Sequence, residues 1–180
     1  MFERLLARTA RALDAAGLPY MVIGGQAVLL YGEPRFTKDI DVTLGVSLDR
    51  LDDVVAMAES AGFELLVDPQ TFTRETMVLP CQEPESGIRL DLVLSHSAYE
   101  QQALARARIV ETGGESVRFA SPEDLIVHKV VAGRPRDLED VRMILLKNPD
   151  VDRGLIVQCL DEFERALEEP FLQRFESCEA

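Results

Sequence analysis

Asp39 and Asp41 are the residues whose types and spacing most directly suggest chemistry. In an extended strand, successive side chains alternate between the two faces, so both carboxylates share one face and Ile40 takes the other. Neighbouring carboxylates repel each other, and a divalent cation bound between them relieves that repulsion. Ligand sets made only of oxygen atoms suit Mg²⁺ or Mn²⁺. The pattern therefore predicts a site for Mg²⁺ (or Mn²⁺) on this strand.

Gly24 and Gly25 directly follow the apolar run Tyr20-Met21-Val22-Ile23, which predicts a buried strand. Two glycines at the end of a strand allow the backbone to turn tightly and to approach a ligand closely. A short apolar helix follows, and its free N–H groups would favour an anion such as phosphate. A phosphate-binding turn beside a hard-metal site is what phosphoryl-type transfer requires.

The order of these features is more specific than any one of them. Asp-x-Asp is short and common, and a glycine pair after a strand is often a plain turn. The complete pattern is a strand, Gly-Gly, a short helix and then Gly-x-x-Arg-x-Thr-x-Asp-x-Asp, which includes Arg35 and Thr37. The joint pattern favours a functional site over a tight turn next to a solvated strand edge.

A third carboxylate, Asp91, lies in the second strand of a predicted hairpin made of residues 76–81 and 87–94. Alternation places Arg89, Asp91 and Val93 on one face of that strand and its leucines on the other. Two interpretations stay open at this point. Asp91 is either an aspartate on a wet sheet face or a third ligand for the cation.

The segment from Gly24-Gly25 to Asp41 resembles the signature of the polymerase-β-like nucleotidyltransferase superfamily. It is most similar to small bacterial members, which include antibiotic nucleotidyltransferases, minimal nucleotidyltransferases and the abortive-infection toxin group. The resemblance implies that the glycine pair grips the triphosphate, with Arg35 and Thr37 in the nucleotide-binding segment. It also implies that Asp39, Asp41 and Asp91 hold two metal ions. Many members have Gly-Ser where this chain has Gly-Gly, so backbone N–H groups must replace a serine hydroxyl here.

Lys129 falls within the apolar stripe of a predicted helix that begins at Ser121-Pro122, a typical cap followed by proline. Its ammonium either extends to water or reaches an anion. The stretch Pro122-Glu123-Asp124-Leu125-Ile126-x-x-Lys129 resembles a segment of bacterial nucleotidyltransferase-like proteins in which a lysine approaches the nucleotide phosphates. The resemblance extends over roughly residues 18–145 and implies nucleotide binding by Lys129.

Composition limits the class of protein. The chain has 180 residues, 47% of them hydrophobic, and a formal net charge of −13. We expect an α/β (α+β) fold with a small mixed sheet, in which residues 1–120 form the catalytic domain and residues 121–180 a C-terminal helical segment packed on it. The charge argues against non-specific binding to nucleic acid. It permits a metal-bound nucleotide, a basic protein partner or a cationic substrate such as an aminoglycoside.

The setting predicted from the sequence is a reducing cytoplasm. The three cysteines are widely spaced and fit neither a disulfide framework nor a zinc site. The amphipathic start of the chain does not resemble a signal peptide, and no apolar run is long enough to cross a membrane. Neither His96 nor His128 belongs to a recognisable ligand or catalytic spacing, so both are expected to be packing residues.

The function expected from these observations is metal-dependent transfer of a nucleoside monophosphate from a nucleoside triphosphate (NTP) to an acceptor hydroxyl. The acceptor could be a small molecule, an RNA end or a protein. One alternative is a non-catalytic nucleotide-binding protein, such as a toxin–antitoxin partner. Another is an adaptor whose acidic face binds a basic protein. A protein partner or a homodimer is compatible with each of them.

Overall fold

The computed structural model describes residues 1–34 and 36–179 and has a seven-stranded mixed sheet with helices. The α/β class and the mixed sheet expected from the sequence are confirmed. The strands are β1 (Tyr20–Ile23), β2 (Asp39–Leu44), β3 (Glu64–Leu65), β4 (Val78–Gln82), β5 (Arg89–Leu94), β6 (Arg108–Thr112) and β7 (Glu115–Phe119). The helices are α1 (Phe2–Ala15), α2 (Gly24–Tyr31), α3 (Leu51–Ser60), α4 (Arg74–Thr76), α5 (Ala98–Arg106), α6 (Pro122–Ala132), α7 (Pro135–Lys147), α8 (Arg153–Leu167) and α9 (Phe171–Glu179).

The strand order is β3-β4-β5-β2-β1-β7-β6, which places β2 in the interior of the sheet. β2 is antiparallel to β1 and parallel to β5, and β5 is antiparallel to β4. The predicted hairpin of β4 and β5 is therefore confirmed. As a result, the strand that carries Asp39 and Asp41 lies directly beside the strand that carries Asp91.

Alternating burial separates the two faces of the central strands. The apolar side chains of β2 and β5 that point to the core are almost completely buried: Ile40, Val42, Leu44, Leu90, Leu92 and Leu94. Burial of one such side chain contributes about 1.5–3 kcal/mol, so a shift of either strand by one residue would be costly. The aspartates therefore have to occupy the opposite face.

The described chain forms two compact units, one made of Met1–Gln26 with Phe36–Phe119 and the other of residues 27–34 with 120–179. In the first unit, α1 packs against β7, β6 and α3 through an apolar face that includes Leu5, Leu6 and Leu13. The domain boundary near residue 120 that the sequence suggests stays a prediction.

Ser47 precedes the segment that leads into α3, and its side chain makes no capping hydrogen bond. Its hydroxyl bonds to the carboxylate of Asp49, and the segment begins with a short 3₁₀ turn, Leu48–Arg50, before α3. The edge strand β3 that follows α3 consists of only two residues, Glu64–Leu65.

The second unit contains α6, α7, α8 and α9. The predicted start of α6 is confirmed, because the Ser121 hydroxyl accepts a hydrogen bond from the Asp124 N–H at 3.0 Å. The same hydroxyl donates to the Asp124 carboxylate at 2.7 Å. Gly133 ends the helix in the left-handed conformation, with φ of 63°. Among the described residues, no helix is both long and apolar enough to cross a membrane.

His128 on α6 gives the fold a predicted dependence on pH. Burial lowers the pKa of His128 to about 4, while the charge of Asp124 partly opposes that effect. An unfolded histidine titrates near 6.5, so the unfolded chain takes up a proton first as the pH falls from about 6.5 to about 4. We expect this difference to reduce the free energy of unfolding by roughly 3 kcal/mol across that range.

Urea unfolding at pH 7 and pH 4.5 measures this effect. His128→Gln should remove that part of the acid-induced loss, because glutamine does not titrate. His96→Gln, at the exposed second histidine, is the matched control and should keep the acid-induced loss that His128 causes. An equal acid-induced loss in wild type and His128→Gln would contradict the prediction.

Candidate active site

The structure brings the three aspartates together on one face of the sheet. In the parallel pairing of β2 with β5, Asp41 lies directly opposite Asp91, and Asp39 lies directly opposite Arg89. Residues that are opposite each other in adjacent strands point to the same side, with strands about 4.8 Å apart. The four residues thus form a two-by-two group of three carboxylates and one guanidinium, here called the charged quartet.

Arg89 is bonded to one of these carboxylates. Its Nε donates a hydrogen bond to Oδ1 of Asp91 at 2.7 Å, and the two side chains are 52% and 18% exposed, respectively. This hydrogen bond raises the pKa of Arg89 above its usual value; partial burial opposes that effect, and the charges of the three aspartates add to it. The guanidinium therefore partly compensates the negative charge of the quartet.

The carboxylates do not form a ready-made ion site. Within residues 1–34 and 36–179, no three His, Cys, Asp or Glu side chains converge closely enough to hold one cation as they stand. The bond from Arg89 explains part of this, because it turns an oxygen of Asp91 toward the guanidinium. The donor set itself, three carboxylates on one face, has the all-oxygen chemistry that Mg²⁺ or Mn²⁺ prefers.

Gly24 lies against Asp41 on the side away from β5. Ile23, the last residue of β1, pairs with Asp41, and the chain turns immediately afterwards at Gly24 with φ of 62°. A Cβ atom on Gly24 would lie only 2.0 Å from Oδ2 of Asp41. Glycine is thus required both by the left-handed backbone and by the close approach of the carboxylate. Gly25 follows in the first turn of α2, where it is buried.

Gln26, beside the candidate site, is a residue that sequence reasoning missed. Its side-chain amide donates to the hydroxyl of Thr37 at 2.8 Å, and both residues are buried. This bond ties the segment before β2 to the first turn of α2. A polar residue within an otherwise apolar helix was the available signal. Nucleotide binding by Thr37 stays a prediction, and Arg35 lies outside the described residues.

Lys129 is buried in the second unit and does not extend to water. Its Nζ lies 2.9 Å from Oδ1 of Asp137 and 2.7 Å from Oδ2 of Asp140. Burial would raise the pKa of Asp137, but hydrogen bonds from Arg134 and Lys129 outweigh it and hold that pKa below its usual value. The ammonium thus belongs to an internal ion cluster, and its contact with nucleotide phosphates stays a prediction.

The ion cluster predicts a large effect on stability. Lys129→Met would leave carboxylates buried without their ammonium, which typically costs about 3–5 kcal/mol of unfolding free energy. Arg165→Met is the matched control, because Arg165 pairs with Asp161 on the surface and is 77% exposed. That change should cost less than about 1 kcal/mol. Equal losses for the two variants in urea unfolding would contradict a stabilising role for the buried cluster.

Structures of known proteins share this fold. The solution structure of the antibiotic-resistance factor ANT(2'')-Ia has a TM-score of 0.62 at 17% identity and covers 93% of this chain and 93% of that chain. The crystal structure of ANT(2'')-Ia in complex with adenylyl-2''-tobramycin has a TM-score of 0.59 at 20% identity, covering 90% and 98%. An antigenic nucleotidyltransferase-like protein from Paracoccidioides brasiliensis has a TM-score of 0.59 at 16% identity, covering 91% and 87%.

At these identities the likeness establishes a common fold and no more. No functionally curated protein matches the chain in sequence. A family model does match, over residues 4–169, which is most of the 180-residue chain. Its description is "Nucleotidyltransferase of unknown function (DUF6036)". The chain belongs to this nucleotidyltransferase family.

Proposed function

We propose that this protein transfers a nucleoside monophosphate from an NTP to an acceptor hydroxyl, in a reaction that depends on Mg²⁺ or Mn²⁺. The observation that carries the proposal is the in-register pairing of Asp41 with Asp91, with Asp39 on the same face and Gly24 against Asp41. Two strands from distant parts of the sequence thus place their carboxylates side by side at the start of α2. These carboxylates repel each other and one guanidinium offsets only part of their charge, so the group favours binding of a cation.

Residues of this chain suit both binding of the triphosphate and activation of the acceptor hydroxyl. The first backbone N–H groups of α2, next to Gly24 and Gly25, would receive the β- and γ-phosphates without a serine hydroxyl. Asp39, Asp41 and Asp91 would hold the metal ions. A bound ion neutralises charge on the pyrophosphate leaving group and lowers the pKa of an acceptor hydroxyl. Asp91 is the residue that we assign to orienting or deprotonating the acceptor.

The acceptor class that the charge of the chain favours is a cationic small molecule. A net charge of −13 repels free nucleic acid, whereas it attracts a polyamine such as an aminoglycoside. One structural neighbour was crystallised with an adenylylated aminoglycoside. These two observations together support a cationic antibiotic, or a molecule with similar amine and hydroxyl groups, as the first acceptor to test.

A second candidate function is nucleotide binding without transfer. The bond between Arg89 and Asp91 favours it, because that bond occupies a carboxylate that a metal-dependent enzyme needs. The glycine pair in place of Gly-Ser points in the same direction. The two candidates differ in one product, since only the enzyme releases pyrophosphate.

Incubation with each α-labelled NTP, Mg²⁺ and a panel of aminoglycosides tests the proposal. A parallel incubation with a cell extract extends the test to RNA and protein acceptors. We expect one labelled acceptor and an equal amount of pyrophosphate, both lost on removal of the metal. Binding of a triphosphate without pyrophosphate release under every condition would favour the second candidate. Failure to bind any triphosphate would refute both.

A further inference from the structure

We propose that Arg89 is a built-in counter-ion that stands in for the metal when the site is empty, and that it thereby makes metal binding depend on the nucleotide. The inference rests on the proposed function and adds a means of regulating the same site. Arg89 is a positioning residue in this account. It acts through Asp91 and carries out no chemical step itself.

The charged quartet places Arg89 beside all three carboxylates. Arg89 takes the fourth corner beside three carboxylates, opposite Asp39 across the strands and two residues before Asp91 on the same face. Its Nε–H bonds to Asp91 at 2.7 Å. An Asp91 carboxylate held by this bond has an oxygen committed to the guanidinium. A cation bound beside Asp41 would then have only the other oxygen of Asp91 to ligate it, close to the positive charge of the guanidinium.

The two bonded side chains differ in their exposure to solvent. The Arg89 side chain is 52% exposed, whereas Asp91 is only 18% exposed. The guanidinium can therefore swing into solvent, whereas the largely buried Asp91 carboxylate has to stay in place and then needs another cation beside it. Arginine stays charged under all ordinary conditions. The displaced group would thus remain a cation near the site and would repel an incoming metal ion unless an anion joined it.

A nucleoside triphosphate supplies that anion. Its phosphates can accept hydrogen bonds from the freed guanidinium, which is well suited to phosphate oxygens. Metal and triphosphate should therefore bind with positive coupling, and each should raise the affinity of the other by the same factor. Binding of the metal alone should be weak, because the protein's own cation competes with it for Asp91.

Measurement of Mn²⁺ affinity tests this directly and does not depend on catalysis. Mn²⁺ would be titrated by electron paramagnetic resonance, with and without an ATP analogue that has a methylene group between the α- and β-phosphates. Arg89→Gln should bind Mn²⁺ alone about tenfold more tightly than the wild type does, because a repelling charge has gone. The enhancement caused by the analogue should shrink by a similar factor. Arg89→Lys, which keeps the charge, should remain close to the wild type.

Two control variants make the outcomes distinct. Arg4→Gln removes one exposed positive charge elsewhere in the same unit and should leave Mn²⁺ affinity unchanged. Asp41→Asn should abolish Mn²⁺ binding. The counter-ion role alone would be overturned if Arg89→Gln bound Mn²⁺ no more tightly than the wild type while Asp41→Asn still lost binding. An equal gain in Mn²⁺ affinity in Arg4→Gln and Arg89→Gln would overturn it as well. Absence of Mn²⁺ binding in every protein, with or without the analogue, would overturn the proposed function.

Discussion

Asp41→Asn is expected to lower kcat for nucleotidyl transfer by about 1,000-fold or more. Asp41 is the centre of the site: it shares a strand face with Asp39, lies opposite Asp91 and faces Gly24 at the start of α2. Asparagine keeps the shape of the side chain but removes the charge that holds a divalent cation. Metal ions typically supply several kcal/mol of transition-state stabilisation, and each 1.36 kcal/mol corresponds to about a factor of ten in rate.

The fold should survive this substitution, because the amide relieves repulsion within the charged quartet. Pyrophosphate release measures the activity, and urea unfolding measures the stability. Asp150→Asn, which removes one exposed carboxylate from the second unit, is the matched control and should retain full activity. Full activity in a folded Asp41→Asn protein would show that the site has been assigned to the wrong residues.

The second large effect is expected from Gly24→Ala. The new methyl group would lie 2.0 Å from Oδ2 of Asp41, so the carboxylate or the turn has to move. A displacement of about 1 Å in a site of this kind can cost about 100-fold in rate. The left-handed backbone adds about 1–2 kcal/mol of strain to any residue with a Cβ atom. We therefore expect both a loss of activity and a loss of stability.

A substitution at Gly17 separates the effect of the clash with Asp41 from the effect of backbone strain. It has φ of 61°, close to the 62° of Gly24, but a Cβ atom there would meet no heavy atom within 4 Å. Gly17→Ala should thus show the backbone strain alone, with a loss of about 1–2 kcal/mol and unchanged transfer activity. If Gly24→Ala behaved like Gly17→Ala in both assays, the close packing of Gly24 on Asp41 would have no functional importance.

Local patterns in the sequence were enough to predict the elements that carry the site. The apolar run Tyr20–Ile23, the glycine pair after it and the alternation in Asp39–Leu44 correspond to β1, the start of α2 and β2. The alternating leucines of β5 correctly placed Asp91 on the face opposite the core. These features follow from the period of a strand and from the backbone freedom of glycine, which neighbouring residues alone determine.

Contacts between distant residues could not be predicted in the same way. Nothing in the local sequence specifies that β5 lies parallel to β2 in the register that pairs Asp41 with Asp91. The bond from Gln26 to Thr37 also depends on the path of the backbone. Lys129 shows the same limitation, since its position in an apolar stripe indicates burial but does not reveal the carboxylates that neutralise it. Such pairings depend on how distant segments pack in the folded chain, which the local sequence does not specify.

The position of a bound metal ion is the most direct test of the account. A crystal grown with Mn²⁺ and the methylene-bridged ATP analogue would locate the ion by anomalous scattering. The account predicts a peak at roughly 2 Å from carboxylate oxygens of Asp41 and Asp91, the distance of an oxygen ligand to a small divalent cation, with Arg89 turned away from Asp91. A peak elsewhere, or bound analogue with no metal at these aspartates, would show that Asp41 and Asp91 are not metal ligands.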